Sequence, residues 1–253
     1  MSQRVNLVND QIYHIYNRGV RKGDIFFDRL DYQRWEELLY WCLHYDYTYS
    51  TYKMRVKQTK IDRGNPQAIL QEIDQTRRFK ISPVEILAYV HMPNHFHLIL
   101  KQLVDNGITS FMHRIATGYS KYVNEKHDFT GSCYQGPFKA VRVETDEQLI
   151  QLYRYIHLNP LASGLANKKE LLSYNWSSFP YFIKGEKNKF LSKKHIFDYF
   201  NKIDDLFKFT LAPFDGESIE LIEKSTIDDD FNWYQEKKKE RKEKIKKIIE
   251  KSI

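Results

Sequence analysis

The sequence predicts an α+β fold on three observations. Two short apolar runs within Leu87 to Leu100 flank a Pro93-Asn94 break and read as strand, tight turn, strand. Strand-like alternation recurs at Ile12 to Asn17, around Tyr13 and Ile15, and Phe138 to Val143 reads as another strand. Elsewhere apolar residues recur at helical spacing, as in Phe111, Ile115, Tyr119 and Tyr122.

Taken in order, the first strand breaks at Arg18-Gly19. Asp28 or Asp31 can cap a helix running to about His44, with Leu30, Trp35, Leu38, Leu39 and Cys42 as its apolar stripe. Residues 46–78 are tyrosine-rich, then polar and basic, and read as an insertion on the rim. Within them Gly64-Asn65-Pro66 is a turn signal that opens a short helix from Pro66 to Thr76. The β-hairpin follows. Asp105-Asn106-Gly107 ends it and introduces a helix from about Thr109 to Lys126. After the loop Gly131 to Pro137 and the strand Phe138 to Val143, Thr145 and Gln148 form a capping-box pattern. They open a helix from about Asp146 to Leu158, which Asn159-Pro160 is expected to stop.

Tyr174 to Phe179 reads as an aromatic loop, and Leu191 to Phe207 as one or two short helices. Residues 215–230 are acidic, and Glu236 to Lys251 is a Lys-rich basic helix, either a solvated tail or a DNA contact. The expected organisation is an α+β domain over 1–182 with its insertion near 46–78, then a helical C-terminal extension over 183–253 with a Lys-rich tail.

Apolar residues make up 42% and aromatics 15% of 253 residues, which excludes a disordered chain and allows a sizeable core. A net charge of +7 suits a nucleic-acid partner, and the abundant aromatics suit base stacking as well as packing. Cys42 and Cys133 fit neither a zinc spacing nor a disulfide framework. The N-terminus has no signal-peptide pattern and no apolar run reaches membrane-spanning length, so a soluble, cytoplasmic protein with no membrane partner is expected.

The second strand of the hairpin carries His95-Phe96-His97. Strand side chains alternate, so the two histidines share a face, about 6–7 Å apart, while Phe96 points into the core. Two imidazoles so placed can converge on a divalent ion; such a pair is also an ordinary wet-face pattern. The helix after Gln148 carries Tyr153, Tyr155, His157 and Asn159. Tyr155 and Asn159, four apart, stack on one face, and Tyr153 and His157 form a second pair rotated away. A tyrosine hydroxyl is a poor nucleophile at neutral pH unless activated, and a metal that stabilises charge on a phosphodiester lowers the barrier from the other side. Asn159 offers a carbonyl oxygen, a hard ligand suited to magnesium or manganese, and can equally be a residue ending its helix.

His95-Phe96-His97 resembles the histidine-hydrophobe-histidine motif of the HUH single-strand endonucleases. With Tyr155 and Asn159 the chain resembles the single-tyrosine (Y1) transposases of the IS200/IS605 type, and within them the REP-associated tyrosine transposases (RAYT). The landmarks that carry the resemblance run in family order through residues 10–182. They are Tyr13-His14-Ile15-Tyr16-Asn17-Arg18-Gly19, Ile25-Phe26-Phe27-Asp28, His91-Met92-Pro93-Asn94-His95-Phe96-His97, Tyr134-Gln135-Gly136-Pro137-Phe138-Lys139, Tyr155-Ile156-His157-Leu158-Asn159-Pro160-Leu161 and Trp176-Ser177-Ser178.

The resemblance implies an antiparallel sheet with packed helices, ferredoxin-like or RRM-like. It implies Tyr155 as nucleophile and His95, His97 and Asn159 as ligands of Mg2+ or Mn2+, with asparagine standing where insertion-sequence members usually have glutamine. It implies cleavage and strand transfer on single-stranded DNA with REP-like palindromic hairpins, through a 5′-phosphotyrosine link, by a monomer rather than a homodimer. Arg18, Arg21, Lys22, Lys139 and Arg142 are candidate phosphate contacts by charge and neighbourhood. Tyr153 is the rival nucleophile, and Tyr119 and Tyr122 can be core or DNA-contacting. The alternatives are a domesticated hairpin-DNA-binding protein with little or no cleavage activity, and a metal hydrolase acting on a small substrate.

Overall fold

The computed structural model describes residues 6–200, 202–213 and 215–225. In β1 (Ile12–Arg18) the alternation sends Tyr13 and Ile15 into one core, and His14 and Tyr16 to the opposite face. β1 lies between β3 (His95–Gln102) and β4 (Lys139–Val143), and β3 pairs in turn with β2 (Val84–Met92), every pairing antiparallel. The order β2-β3-β1-β4 is that of a ferredoxin-like split βαβ sheet, as expected.

The helices α1 (Arg29–His44) and α4 (Gly107–His127) cover one face of this sheet. Trp35, Phe96, Leu98, Phe111, Ile115 and Tyr119 fill the layer between them. The α1 N-terminus is fixed twice. The Asp28 side chain accepts from the backbone of Leu30 and Asp31 in a capping box, and the fully buried Asp31 carboxylate meets Lys126 Nζ of α4 at 2.6 Å. Leu30, placed by the sequence in the apolar stripe, is 60% exposed in this first turn. Helix α4 starts at Gly107, two residues before the expected Thr109, and only glycine fits there, since a Cβ would lie 2.1 Å from the Pro83 carbonyl oxygen.

Residues 46–78 hold two helices, α2 (Tyr49–Ile61) and α3 (Pro66–Thr76). The second has the expected bounds. The first was not legible, since its sequence shows almost no segregation of apolar from polar residues. The pair is more than rim decoration: Ile69 and Ile73 are buried, and Tyr52 stacks on Trp41 with ring centroids 4.4 Å apart.

The other face of the sheet is covered by α5 (Asp146–Ala162), which contacts β2 and β4 and is backed by α8 (Ile203–Leu211) and α9 (Gly216–Ser225). The short helices α6 (Phe179–Lys184) and α7 (Lys194–Phe197) contribute Phe179, Phe182 and Ile196 to the same layer. Thr145 caps α5 by accepting from Gln148 N at 3.1 Å. The Gln148 side chain reaches back to Glu144 N rather than to the cap residue itself, a shifted form of the expected box. Nor does Asn159-Pro160 stop the helix. Pro160 lies inside it, and the Asn159 carbonyl still accepts from Ser163 N at 2.9 Å, so the proline deletes one hydrogen bond without ending the ladder.

Two irregularities finish the sheet. An extra residue in β2 between Ile86 and Ala88 shifts its phase, so that Leu87 and Ala88 both join the α5 layer. The edge of β2 is sealed by Trp176-Ser177-Ser178, where Trp176 O accepts from His91 N and Ser178 N donates to Tyr89 O. Trp176 also stacks on Tyr32 of α1, at 4.5 Å. The Lys-rich stretch 236–251 lies outside the described residues.

Candidate active site

The site is the α5-facing side of β1 and β3. Register places Tyr16 opposite His97 and Arg18 opposite His95, so His14, Tyr16, His95 and His97 project from one face while Phe96 enters the α1 core. The His95 and His97 ring centroids are 5.1 Å apart with planes 85° apart. His97 is fully buried and His95 is 5% exposed, so the pair is not on a wet face. Burial holds the His97 imidazole well below its usual pKa, and the neighbouring His14, His95 and Arg18 push the same way. It is therefore neutral, the form that binds metals.

Each imidazole is engaged at Nδ1. The His95 Nδ1 lies 2.6 Å from Asn94 Oδ1, and the Asn94 amide is oriented by its Nδ2, which donates to Lys22 O at 3.1 Å. The oxygen of that amide can only accept, so His95 Nδ1 carries the proton and Nε2 the lone pair. The His97 Nδ1 lies 2.9 Å from His14 Nε2. In the sequence Asn94 reads as a turn residue and His14 as a strand residue, each within a landmark motif but neither with a role at the site. Parity along β1 put His14 beside Tyr16; that it meets His97 needed the register.

From α5, Tyr155 lies over this face. Its ring is edge-on to His97 at 5.6 Å and to His14 at 6.3 Å. Asn159 Nδ2 donates to the Tyr155 carbonyl at 3.0 Å, which leaves the Oδ1 end of the amide as its acceptor. Tyr153 lies on the other side of the helix, its ring against Phe182 and His157, and burial raises its pKa well above the usual value. His157 is fully buried with Nε2 at 2.8 Å from Ser178 Oγ, and burial pushes it down to about 3. His91, on the opposite sheet face, packs near Phe26 and Trp35, and burial likewise takes it to about 3. Tyr119 is core, donating to Ile25 O at 2.7 Å, and Tyr122 donates to Asp31.

The basic residues divide. Arg18 and Lys139 stand on the histidine side, with Lys139 Nζ 5.7 Å from the Tyr16 ring centroid. Arg21 and Lys22 are exposed in a left-handed turn that is hydrogen-bonded to the Pro93-Asn94 loop, at the His95 end of the sheet. Arg142 does not join them. It pairs across from Tyr13, facing away from the histidines, and its Nη2 donates to Gln11 Oε1 at 2.7 Å. One residue of register decides this, because sheet parity sends Arg142 and Lys139 to opposite faces.

The donor set fits a divalent ion in its chemistry: two imidazoles engaged at Nδ1 and an amide whose nitrogen is already bonded. Among the described residues no three His, Cys, Asp or Glu side chains gather as a metal cluster.

A ferredoxin-like sheet bearing a buried histidine pair, with a tyrosine-bearing helix laid across it, brings a phenol beside two imidazoles. Residues 39–159 match the family model described as "Transposase IS200 like". A solved structure titled "Structure of the REP associates tyrosine transposase bound to a REP hairpin" is similar at 16% sequence identity and a TM-score of 0.47. The similarity covers 76% of this chain and 92% of that one. No curated protein matches. No helix among the described residues is long and apolar enough to cross a membrane.

Proposed function

We propose that this chain is a REP-associated, single-tyrosine transposase that nicks and rejoins single-stranded DNA at hairpin-forming repeats. The observation that carries the reading is the approach of Tyr155, and not Tyr153, to the His97 side of the sheet. His95, His97 and Asn159 would hold a Mg2+ or Mn2+ ion. When bound, the ion supplies positive charge that polarises the phosphodiester and stabilises its oxygens.

The chain's own residues do the rest. Tyr155 Oη attacks phosphorus as the bond to the 3′ oxygen breaks, and the phenolic proton ends on that oxygen. The products are a 5′-phosphotyrosine and a 3′-hydroxyl. Because the phosphodiester is conserved as an ester, a second 3′-hydroxyl can reverse the step and join new strands without ATP. Arg18, Lys139, Arg21 and Lys22 stand where they can meet phosphates beside His95. The catalytic unit spans 1–182, followed by an extension over 183–253 whose helices α8 and α9 back α5. The protein acts as a monomer in the cytoplasm.

The test is covalent capture. Labelled single-stranded hairpin oligonucleotides, drawn from the repeats flanking the gene, are incubated with the protein and Mn2+ or Mg2+ and run on a denaturing gel. An adduct lost in Tyr155→Phe and His97→Ala but kept in Tyr153→Phe is expected. Loss only in Tyr153→Phe would reassign the nucleophile. Tight hairpin retention with no adduct would replace strand transfer by simple hairpin binding.

A further inference from the structure

We propose that His14 is a positioning residue for the histidine pair: its Nε2 accepts the Nδ1 proton of His97 and so fixes the lone pair of His97 on Nε2. The inference rests on the reading of His95 and His97 as ligands, and it assigns a task to a residue outside that set.

The two nitrogens are 2.9 Å apart and both side chains are fully buried. Their rings lie 5.1 Å apart at 20°, and His14 sits opposite Ile99, the diagonal neighbour of His97 on the same sheet face. At that distance the contact holds one proton: two would collide, and none would set lone pair against lone pair. Two arrangements remain. If His14 donates, His97 carries its proton on Nε2 and cannot ligate through that atom. If His97 donates, Nε2 is basic.

The neighbouring histidine shows which arrangement makes a matched pair. Asn94 Oδ1 can only accept, so His95 is fixed with its proton on Nδ1. His97 in the same tautomer gives two rings held at Nδ1 from outside the pair and two basic Nε2 atoms. Metal-bound histidines are generally held through the other ring nitrogen by an acceptor, and losing that acceptor weakens affinity by about 10–100-fold. Here the acceptor is an imidazole on the adjacent strand β1, 83 residues from His97 in the sequence. His14 is thereby no ligand itself, since its Nε2 lone pair is committed to His97.

The tautomers can be read directly in metal-free, full-length protein with 15N-labelled histidine, by long-range proton–nitrogen correlation. The expected result is a protonated Nδ1 on His97 and an unprotonated Nε2 on His14. A proton on His97 Nε2 in the wild type overturns the proposal whatever any variant does. In a Mn2+ titration without DNA, His14→Ala should weaken binding about 10–100-fold. His14→Gln, with an amide oxygen as substitute acceptor, should recover most of it. Unchanged Mn2+ binding in a folded His14→Ala protein also overturns it. Should the tautomer and the Mn2+ loss appear while no DNA adduct forms, strand transfer fails and the role of His14 stands.

Discussion

His157→Gln isolates one buried neutral imidazole at the joint between α5 and the sealed edge of β2. His157 reaches Ser178 Oγ, which itself donates to Tyr89 O and accepts from Tyr89 N. Burial takes this imidazole from 6.5 to about 3. The unfolded chain therefore binds a proton below about pH 6.5 that the folded chain refuses. The stability due to neutral burial is complete above that pH and is lost as pH falls toward about 3. At about pH 5 the loss is about 2 kcal/mol for one such group, from about 1.4 kcal/mol per pKa unit. His91 behaves in the same way and contributes a similar loss. Glutamine keeps a polar reach toward Ser178 but does not titrate. Urea unfolding at about pH 7.5 and about pH 5 should show the wild type losing about 2 kcal/mol more than His157→Gln. Equal losses in the two proteins would refute the claim that His157 is held neutral.

Three further outcomes are expected. Asp31→Ala leaves Lys126 with Asp28 alone, takes the acceptor from Phe27 N and removes half of the α1 capping box, and chemical denaturation should show a loss of about 2 kcal/mol. Gly107→Ala forces a Cβ toward the Pro83 carbonyl, and a loss of about 2 kcal/mol or more, seen as a lower Tm, is expected; a Tm equal to that of the wild type would show that the backbone there yields freely. Deleting residues 236–253 removes nine Lys or Arg and four Glu, and binding measured across a salt series should show a shallower slope, by about 0.7 for each phosphate of single-stranded DNA that the tail would otherwise neutralise. An unchanged slope would remove the tail from the interface.

Local chemistry by itself determined much of this protein. Period-two alternation placed β1 and the hairpin, and fixed His95 and His97 on one face with Phe96 on the other, because strand parity follows from backbone geometry alone. Asn65-Pro66, Asp28 and Thr145 marked helix starts through their capping groups. Only the tertiary structure decided the rest. In α5 every residue from Leu152 to Pro160 is buried, since the helix lies between the sheet and α8 with α9. An element buried all round has no apolar stripe, so periodicity could not say whether Tyr153 or Tyr155 faces the histidines. His14 meets His97 across 83 residues of sequence, and Arg142 turns from the site by one step of register. Both are consequences of strand pairing, which no local stretch of chain encodes.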